Sequence, residues 1–150
     1  MNDVEINIPS DHVFERIVRD SAAVVARYLG FPDERTADLQ LAVSEAVTNA
    51  IEHGNHNQHH VKVGVHFLLH DDRLAIRVVD QGGGMPTFGP VDRPSIDQKL
   101  LEDSPRGLGI FLIQQLVDEV ELQSGEGRTE FTMWFNITDP KPQQALTSIA

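Results

Sequence analysis

The sequence contains no cysteine, which excludes disulfides, thiolate metal sites and a cysteine nucleophile. No stretch approaches the roughly 18 uninterrupted apolar residues that a membrane span needs. The opening residues, MNDVEINIPS, lack the basic segment and apolar core of a secretory leader. Basic residues are scarce: 12 Lys and Arg stand against 23 Asp and Glu, a formal net charge of −11. Counterion release rewards clustered cations, so such a surface should repel a phosphate backbone, and direct nucleic-acid binding is not expected. Aromatic residues amount to only 6%. Trp134 and Phe135 on the last strand read as packing residues rather than a recognition platform. These absences lead to an expectation of a cytoplasmic protein with no membrane contact.

What is present fits an ordinary globular chain. The 150 residues, 40% of them hydrophobic and 23% charged, suffice for one domain over 1–150 with a two-layer core. The tail from about residue 138, with Pro140 and Pro142, should fray. Val4 to Ile8 alternates as a strand, and Pro9-Ser10-Asp11 offers helix-cap chemistry. The following pattern predicts a helix from about His12 to Leu29, burying Val13, Ile17, Ala22, Val25 and Leu29 and ended by Gly30. Pro32-Asp33-Glu34 opens a second helix, with acids at the positive end of its dipole, running to His53 and stopped by Gly54. Residues 61–69 and 74–80 predict strands. Gln81 to Pro105 turns to Gly, Pro and polar residues, with one short helical stretch near 96–101, and such a long irregular segment points to function. A helix over 110–117 and a hairpin of strands 120–124 and 129–137 complete the chain. Hairpin strands with helices long enough to cover one face imply an α/β (α+β) two-layer sandwich, with a mostly antiparallel mixed sheet.

Three clusters carry chemistry. Glu45, Asn49 and His53 recur every four residues, advancing only about 40° per step, so they form one ribbon along the second helix. Leu39, Val43, Ala46 and Ala50 form the neighbouring apolar stripe, so the ribbon borders the core. Glu45 is suited to polarise a hydroxyl or water, and Asn49 offers a neutral oxygen to a cation such as Mg²⁺. Spacing alone does not separate this from a solvated helix face. Next, Asp80-Gln81-Gly82-Gly83-Gly84 puts a carboxylate at a strand end among glycines that allow a flat ligand close approach. An exocyclic amine such as adenine's suits Asp80, although a plain strand-ending turn fits equally. Finally, Arg106-Gly107-Leu108-Gly109 lies immediately before the helix expected at Ile110, where free amides attract phosphate and Arg106 adds a charged donor. A Rossmann fingerprint is incomplete and a Gly-Lys-Ser/Thr loop is missing, so ATP would need another cradle.

The order of these signals is more specific than any one of them. Glu-x-x-x-Asn-x-x-x-His on a helix, Asp-x-Gly-x-Gly after a strand and Gly-x-Gly before a helix resemble the N, G1 and G2 boxes of the histidine-kinase/Hsp90 (GHKL) ATPase superfamily. LAVSEAVTNAIEHG at 41–54 and RGLGIFLIQQLVDEV at 106–120 resemble its anti-sigma serine/threonine kinases in particular. The likeness extends from Val4 to Ile137. It implies a Bergerat-type ATP-binding fold and an ATP- and Mg²⁺-dependent serine kinase. Such a kinase binds a sigma factor and phosphorylates a STAS-type anti-anti-sigma antagonist, and self-association as a homodimer accompanies the likeness.

By the same resemblance Glu45 is the general base and Asn49 holds Mg²⁺ against the phosphates. Asp80 receives the adenine amine, with Gly82 and Gly84 shaping that wall. Gly107 and Gly109 close over the phosphates, Thr129 contacts the adenine side, and residues 85–105 form a lid. His53 supports the helix end. The chain has Pro105-Arg106 where better-known members have Arg-Ser, which leaves the role of Arg106 open. A non-catalytic nucleotide-gated clamp on a transcription regulator explains the glycine boxes equally well but leaves Glu45 without a task. A sensor histidine kinase fragment would need a phosphoacceptor, for which His12 is a poor match. Zinc binding by His53, His56, His59 and His60 matches no standard spacing.

Overall fold

Alternation of apolar and polar residues builds the sheet. Ile6 and Ile8 turn toward the core while Glu5 and Asn7 face away, so β1 (Asn2–Pro9) acquires one apolar face. By contrast β2 (Lys62–Leu69) and β3 (Arg73–Asp80) carry runs of buried residues, the start of β4 (Glu119–Gly125) alternates like β1, and β5 (Arg128–Asn136) completes the sheet. The computed structural model describes residues 2–82 and 105–137, with side chains of the third helix described from Gly109 onward. Gly84, the expected lid and short helix within 83–104, and the tail from 138 lie outside the described residues.

The strands are ordered β1-β2-β3-β5-β4. The sequence led to a mostly antiparallel mixed sheet; every ladder among the described residues is antiparallel. Register aligns the apolar faces: Ile6 meets Val65, Phe67 meets Ile76, and Leu74 meets Phe135. It also sets Asp80 directly opposite Thr129 at the end of the β3–β5 ladder.

Three helices cover one face of this sheet: α1 (Glu15–Tyr28), α2 (Asp33–Asn49) and α3 (Pro105–Leu116). A 3₁₀ turn, His12–Phe14, precedes α1, and Asp11 caps it by accepting from the Val13 N–H at 3.0 Å. Gly30 ends α1 at φ +84°, a left-handed conformation that suits glycine. Val18, Ala22 and Ala26 of α1, Leu39, Val43 and Val47 of α2, and Ile113 of α3 pack on the sheet residues to form the core.

The face of α1 differs from the sequence expectation. Ala22 is buried, but Val13 and Ile17 are 74% and 51% exposed, joined on the outer face by Val24 at 67% and Tyr28 at 73%. The helix carries two apolar faces, and the small residues Val18, Ala22 and Ala26 give the closer approach to α2, so the bulkier stripe faces outward. Phe135 is core as expected, whereas Trp134 lies on the opposite face of the sheet beneath the Arg73 guanidinium, 4.2 Å from its centroid.

The ends of α2 and α3 are tied by Arg35, which is buried. Its Nη1 donates to the Leu116 carbonyl at 2.7 Å, its Nη2 pairs with Asp118, and the guanidinium stacks over Phe135. Asp118 also accepts from the Asn136 amide at 2.7 Å, so the carboxylate is held by a charge and by β5. Among the described residues no helix is long and apolar enough to cross a membrane.

Candidate functional site

Glu45 and Asn49 lie one step of four apart on α2, so their side chains stack on the same side of the helix. Both meet α3 at Gly109. A β-carbon there would lie 3.1 Å from Asn49 Nδ2 and 3.2 Å from Glu45 Oε2. The backbone of α3 therefore rests against the two polar groups that the ribbon presents, and a side chain at 109 would press on them.

The start of α3 corrects the sequence reading. Gly107 and Gly109 were expected before a helix beginning at Ile110, but the helix begins at Pro105 and includes both. Proline suits a first helical position because its missing N–H would have had no intrahelical acceptor. The amides of Arg106 and Gly107 remain in the first turn, where backbone N–H groups lack such acceptors. Gly109 lies beyond them, so its part is the close approach to Glu45 and Asn49.

The end of α2 brings in the second cluster. The expected helix to His53 is α-helical only to Asn49 and then widens to a π turn, Ala50–Gly54, in which the Asn55 N–H donates to the Ala50 carbonyl at 2.8 Å. Gly54 does more than stop the helix. A β-carbon at 54 would overlap the Asp80 carboxylate, and one at 82 would overlap the Gly54 carbonyl. Asp80 is 4% exposed, and its Oδ1 accepts from the Gly82 N–H at 3.1 Å. The structure thus brings Glu45, Asn49, Asp80, Gly82 and Gly109 around the C-terminal half of α2, with Thr129 beside Asp80. Gly84 and the Arg106 side chain lie outside the described residues.

Residues 8–135 match the histidine kinase-like ATPase domain family. The chain is 37% identical to the serine-protein kinase RsbW of Bacillus pumilus over 134 residues, covering 84% of this chain and 81% of that protein. RsbW of Bacillus velezensis is 35% identical with the same coverage, and RsbW of Bacillus subtilis 31%. The chain belongs to the RsbW serine-protein kinase family, within the GHKL ATPases. Two solved structures share the fold. The RsbU and RsbW domains of a Mycobacterium tuberculosis protein superpose with a TM-score of 0.65 at 21% identity, over 93% of this chain and 34% of that one. The present chain thus spans about a third of the length of that protein. The SiaB–SiaC complex of Pseudomonas aeruginosa gives a TM-score of 0.57 at 12% identity, over 89% of both chains.

Membership of the RsbW family implies ATP binding, and the buried polar groups fit a nucleotide. Thr129 is 1% exposed and its hydroxyl has no hydrogen-bond partner among the described residues. A buried hydroxyl without a partner is costly unless a ligand or water completes it. Directly paired antiparallel residues share a face, so the Thr129 side chain lies on the same side of the sheet as Asp80.

Glu45, on the neighbouring helix α2, is perturbed. Burial pushes its carboxyl above the ordinary carboxylate range, and the charges of Glu15 and Glu52 push it further. Glu15 comes from α1 and accepts from the Ser44 hydroxyl. His53 sits in the π turn with Nε2 3.8 Å from Glu52, near the helix end where it was expected. Among the described residues no group of three or more His, Asp or Glu is arranged to hold a metal. His59 instead faces Asp11 at 3.9 Å. Sequence reasoning missed Gly54, Glu15 and Asn55 as parts of this region. The Asn55 Oδ1 accepts from the Gln81 N–H at 2.8 Å, joining the end of α2 to the residue after Asp80.

Proposed function

We propose that this kinase binds ATP with Mg²⁺, transfers the γ-phosphoryl group to a serine of a STAS-type anti-anti-sigma antagonist, and binds a sigma factor as its other partner. The observation that carries the reading is the meeting of Glu45 and Asn49 at Gly109, beside the buried Asp80–Thr129 pair.

In this reading Glu45 takes the proton of the attacking serine hydroxyl. The new bond joins the serine oxygen to the γ-phosphorus, the bond to the β-phosphate oxygen breaks, and ADP leaves. A carboxylate whose pKa is raised by burial and by neighbouring Glu15 and Glu52 suits a general base. Bound Mg²⁺ supplies charge neutralisation at the phosphate oxygens, and Asn49 is its side-chain ligand. The free amides of Arg106 and Gly107 receive phosphate oxygens, and the Arg106 guanidinium adds charge. Asp80 accepts from the adenine amine, the Thr129 hydroxyl bonds the same side of the base, and Gly82 and Gly84 form the wall.

The outward stripe of Val13, Ile17, Val24 and Tyr28 supports a protein partner, because exposed apolar surface of this kind marks interaction sites. The setting we infer is the cytoplasm, with residues 1–150 as one kinase domain that forms a homodimer.

Purified protein, radiolabelled ATP, Mg²⁺ and a candidate antagonist provide the test. Label should appear on an antagonist serine. Glu45→Gln should lower the transfer rate by about 10²–10⁴-fold while ATP affinity by calorimetry changes by less than about twofold. Equal transfer by the variant refutes the base role. Wild-type protein that captures the sigma factor under ATP yet never labels the antagonist is the non-catalytic clamp instead.

A further inference from the structure

We propose that Asn55 is a positioning residue that sets the orientation of Asp80, and through it the preference for adenine over guanine; this rests on the reading of Asp80 as the adenine acceptor. Asn55 is 3% exposed, and both ends of its side-chain amide are engaged. Oδ1 accepts from the Gln81 N–H at 2.8 Å. Nδ2 donates to the Ser10 hydroxyl at 2.9 Å and to the Lys62 carbonyl at 3.2 Å. Ser10 in turn donates to the Val61 carbonyl at 2.6 Å. One side chain thus joins the end of β1, the start of β2 and the exit of β3.

The exit of β3 is where this matters. The β2–β3 ladder ends at the Gly64–Val79 pair, so Gln81 has passed beyond the neighbouring strand that would otherwise hold it. Asn55 supplies the acceptor that the ladder no longer provides. The next residue, Gly82, donates its N–H to Asp80 Oδ1, so the path of Gln81 and Gly82 determines how the carboxylate is turned. Shifting that backbone turns Asp80.

The backbone around Asn55 is constrained in a way that packing alone does not require. His56 and Asn57 both have left-handed backbone, at φ 51° and 56°, which is uncommon away from glycine. The Gln58 N–H closes this turn onto the Asn55 carbonyl at 3.0 Å. The residue type is also specific. An acceptor and two donors are needed at once, a combination that Asn has and Asp, Ser and Ala lack.

Binding of Mg-ATP and Mg-GTP is measured by calorimetry, with melting temperature in parallel, for the wild type, Asn55→Ala, Asn55→Asp and Ser10→Ala. Asn55→Ala should weaken ATP binding about tenfold, leave GTP binding within about twofold, and hold kcat at saturating ATP within about threefold. Ser10→Ala removes a partner of the same network but spares the Gln81 contact. It should melt earlier and keep the wild-type ATP-to-GTP ratio. Asn55→Asp keeps an acceptor for Gln81 and loses both donors, so it too should keep the ratio, and it remains readable if Asn55→Ala does not fold. A ratio that collapses in Asn55→Asp, or falls equally in Ser10→Ala and Asn55→Ala, makes Asn55 a scaffold residue only. A wild type that discriminates while Asn55→Ala discriminates equally refutes the role of Asn55 alone. A wild type that binds ATP and GTP alike refutes the adenine role of Asp80 and this one with it.

Discussion

Glu45 is half-buried where an ionised carboxylate is disfavoured, and that has consequences for both stability and rate. Its folded pKa lies above the ordinary 4.5, through burial first and then Glu15 and Glu52. A raised carboxylate pKa means that the folded state binds more protons than the unfolded chain just above pH 4.5. The stability it contributes is present on the acid side and is lost as pH rises through the folded pKa. Glu45→Gln should therefore melt higher than the wild type at neutral pH, with the difference closing below about pH 4.5. An advantage that grows on acidification would contradict this. Activity responds in the opposite sense, since the base acts deprotonated: kcat/KM should fall on acidification through a pKa above that of an exposed carboxylate. Glu15→Gln should move that acid limb to lower pH, and an unmoved limb would remove Glu15 from the account. At this scale the shared helix side of Glu45 and Asn49 and the strand-end place of Asp80 were legible from spacing and order, whereas Thr129 entered only through the family resemblance. Asn55 was not legible, since an Asn following His53-Gly54 reads as an ordinary turn residue, and its contacts span 45 positions to Ser10 and 26 to Gln81.

Between elements, the decisive contact is α3 against α2. Alanine at 109 would gain helix propensity of up to about 1 kcal/mol, yet its β-carbon would press on Asn49 and Glu45. Those side chains border the site and are not fully buried, so they can give way without unfolding the core. Gly109→Ala should melt within a few degrees of the wild type but transfer phosphate at least about tenfold more slowly, because a displaced base loses its alignment. Unimpaired transfer would show that the close approach serves packing only. At the other end of α3, Arg35→Ala strands Asp118 without its cation and should cost about 3–5 kcal/mol, read from denaturant midpoints; a loss under about 1 kcal/mol would make the pair incidental. The sequence predicted the strands and the three α-helices found among the described residues, and Ala22, Val25 and Leu29 do face inward, but it also placed Val13 and Ile17 there. Periodicity ranks residues by hydrophobicity, whereas the close α1–α2 contact selects small ones. Nor was the start of α3 legible, because glycines at 107 and 109 read as loop until Pro105 is seen as a helix opener.

For the molecule as a whole, the proposed site draws on segments far apart in the chain: the turn at 54–55, residues 80–82 at the exit of β3, the first turns of α3 and Thr129 on β5. None of them holds a nucleotide alone, so binding should be coupled to the integrity of the entire sandwich. A ligand that binds only the folded state adds about 2.7 kcal/mol at a concentration of 100 Kd. For a chain of this size that corresponds to a rise in melting temperature of about 5–10 °C. Mg-ATP should produce such a rise in a thermal-shift measurement, and Asp80→Asn should remove most of it, because it removes the carboxylate charge and puts an amide donor where one acceptor oxygen faced the adenine amine. Thr129→Val, which deletes this hydroxyl, should reduce the ATP-induced rise while leaving the nucleotide-free protein as stable or more so, since among the described residues it has no hydrogen bond to lose. If millimolar Mg-ATP left the wild-type transition unmoved, the convergence of these segments would be a matter of packing rather than of nucleotide chemistry. If Thr129→Val instead destabilised the free protein and left the ATP response intact, the hydroxyl would be serving the sheet and the ligand would lie elsewhere.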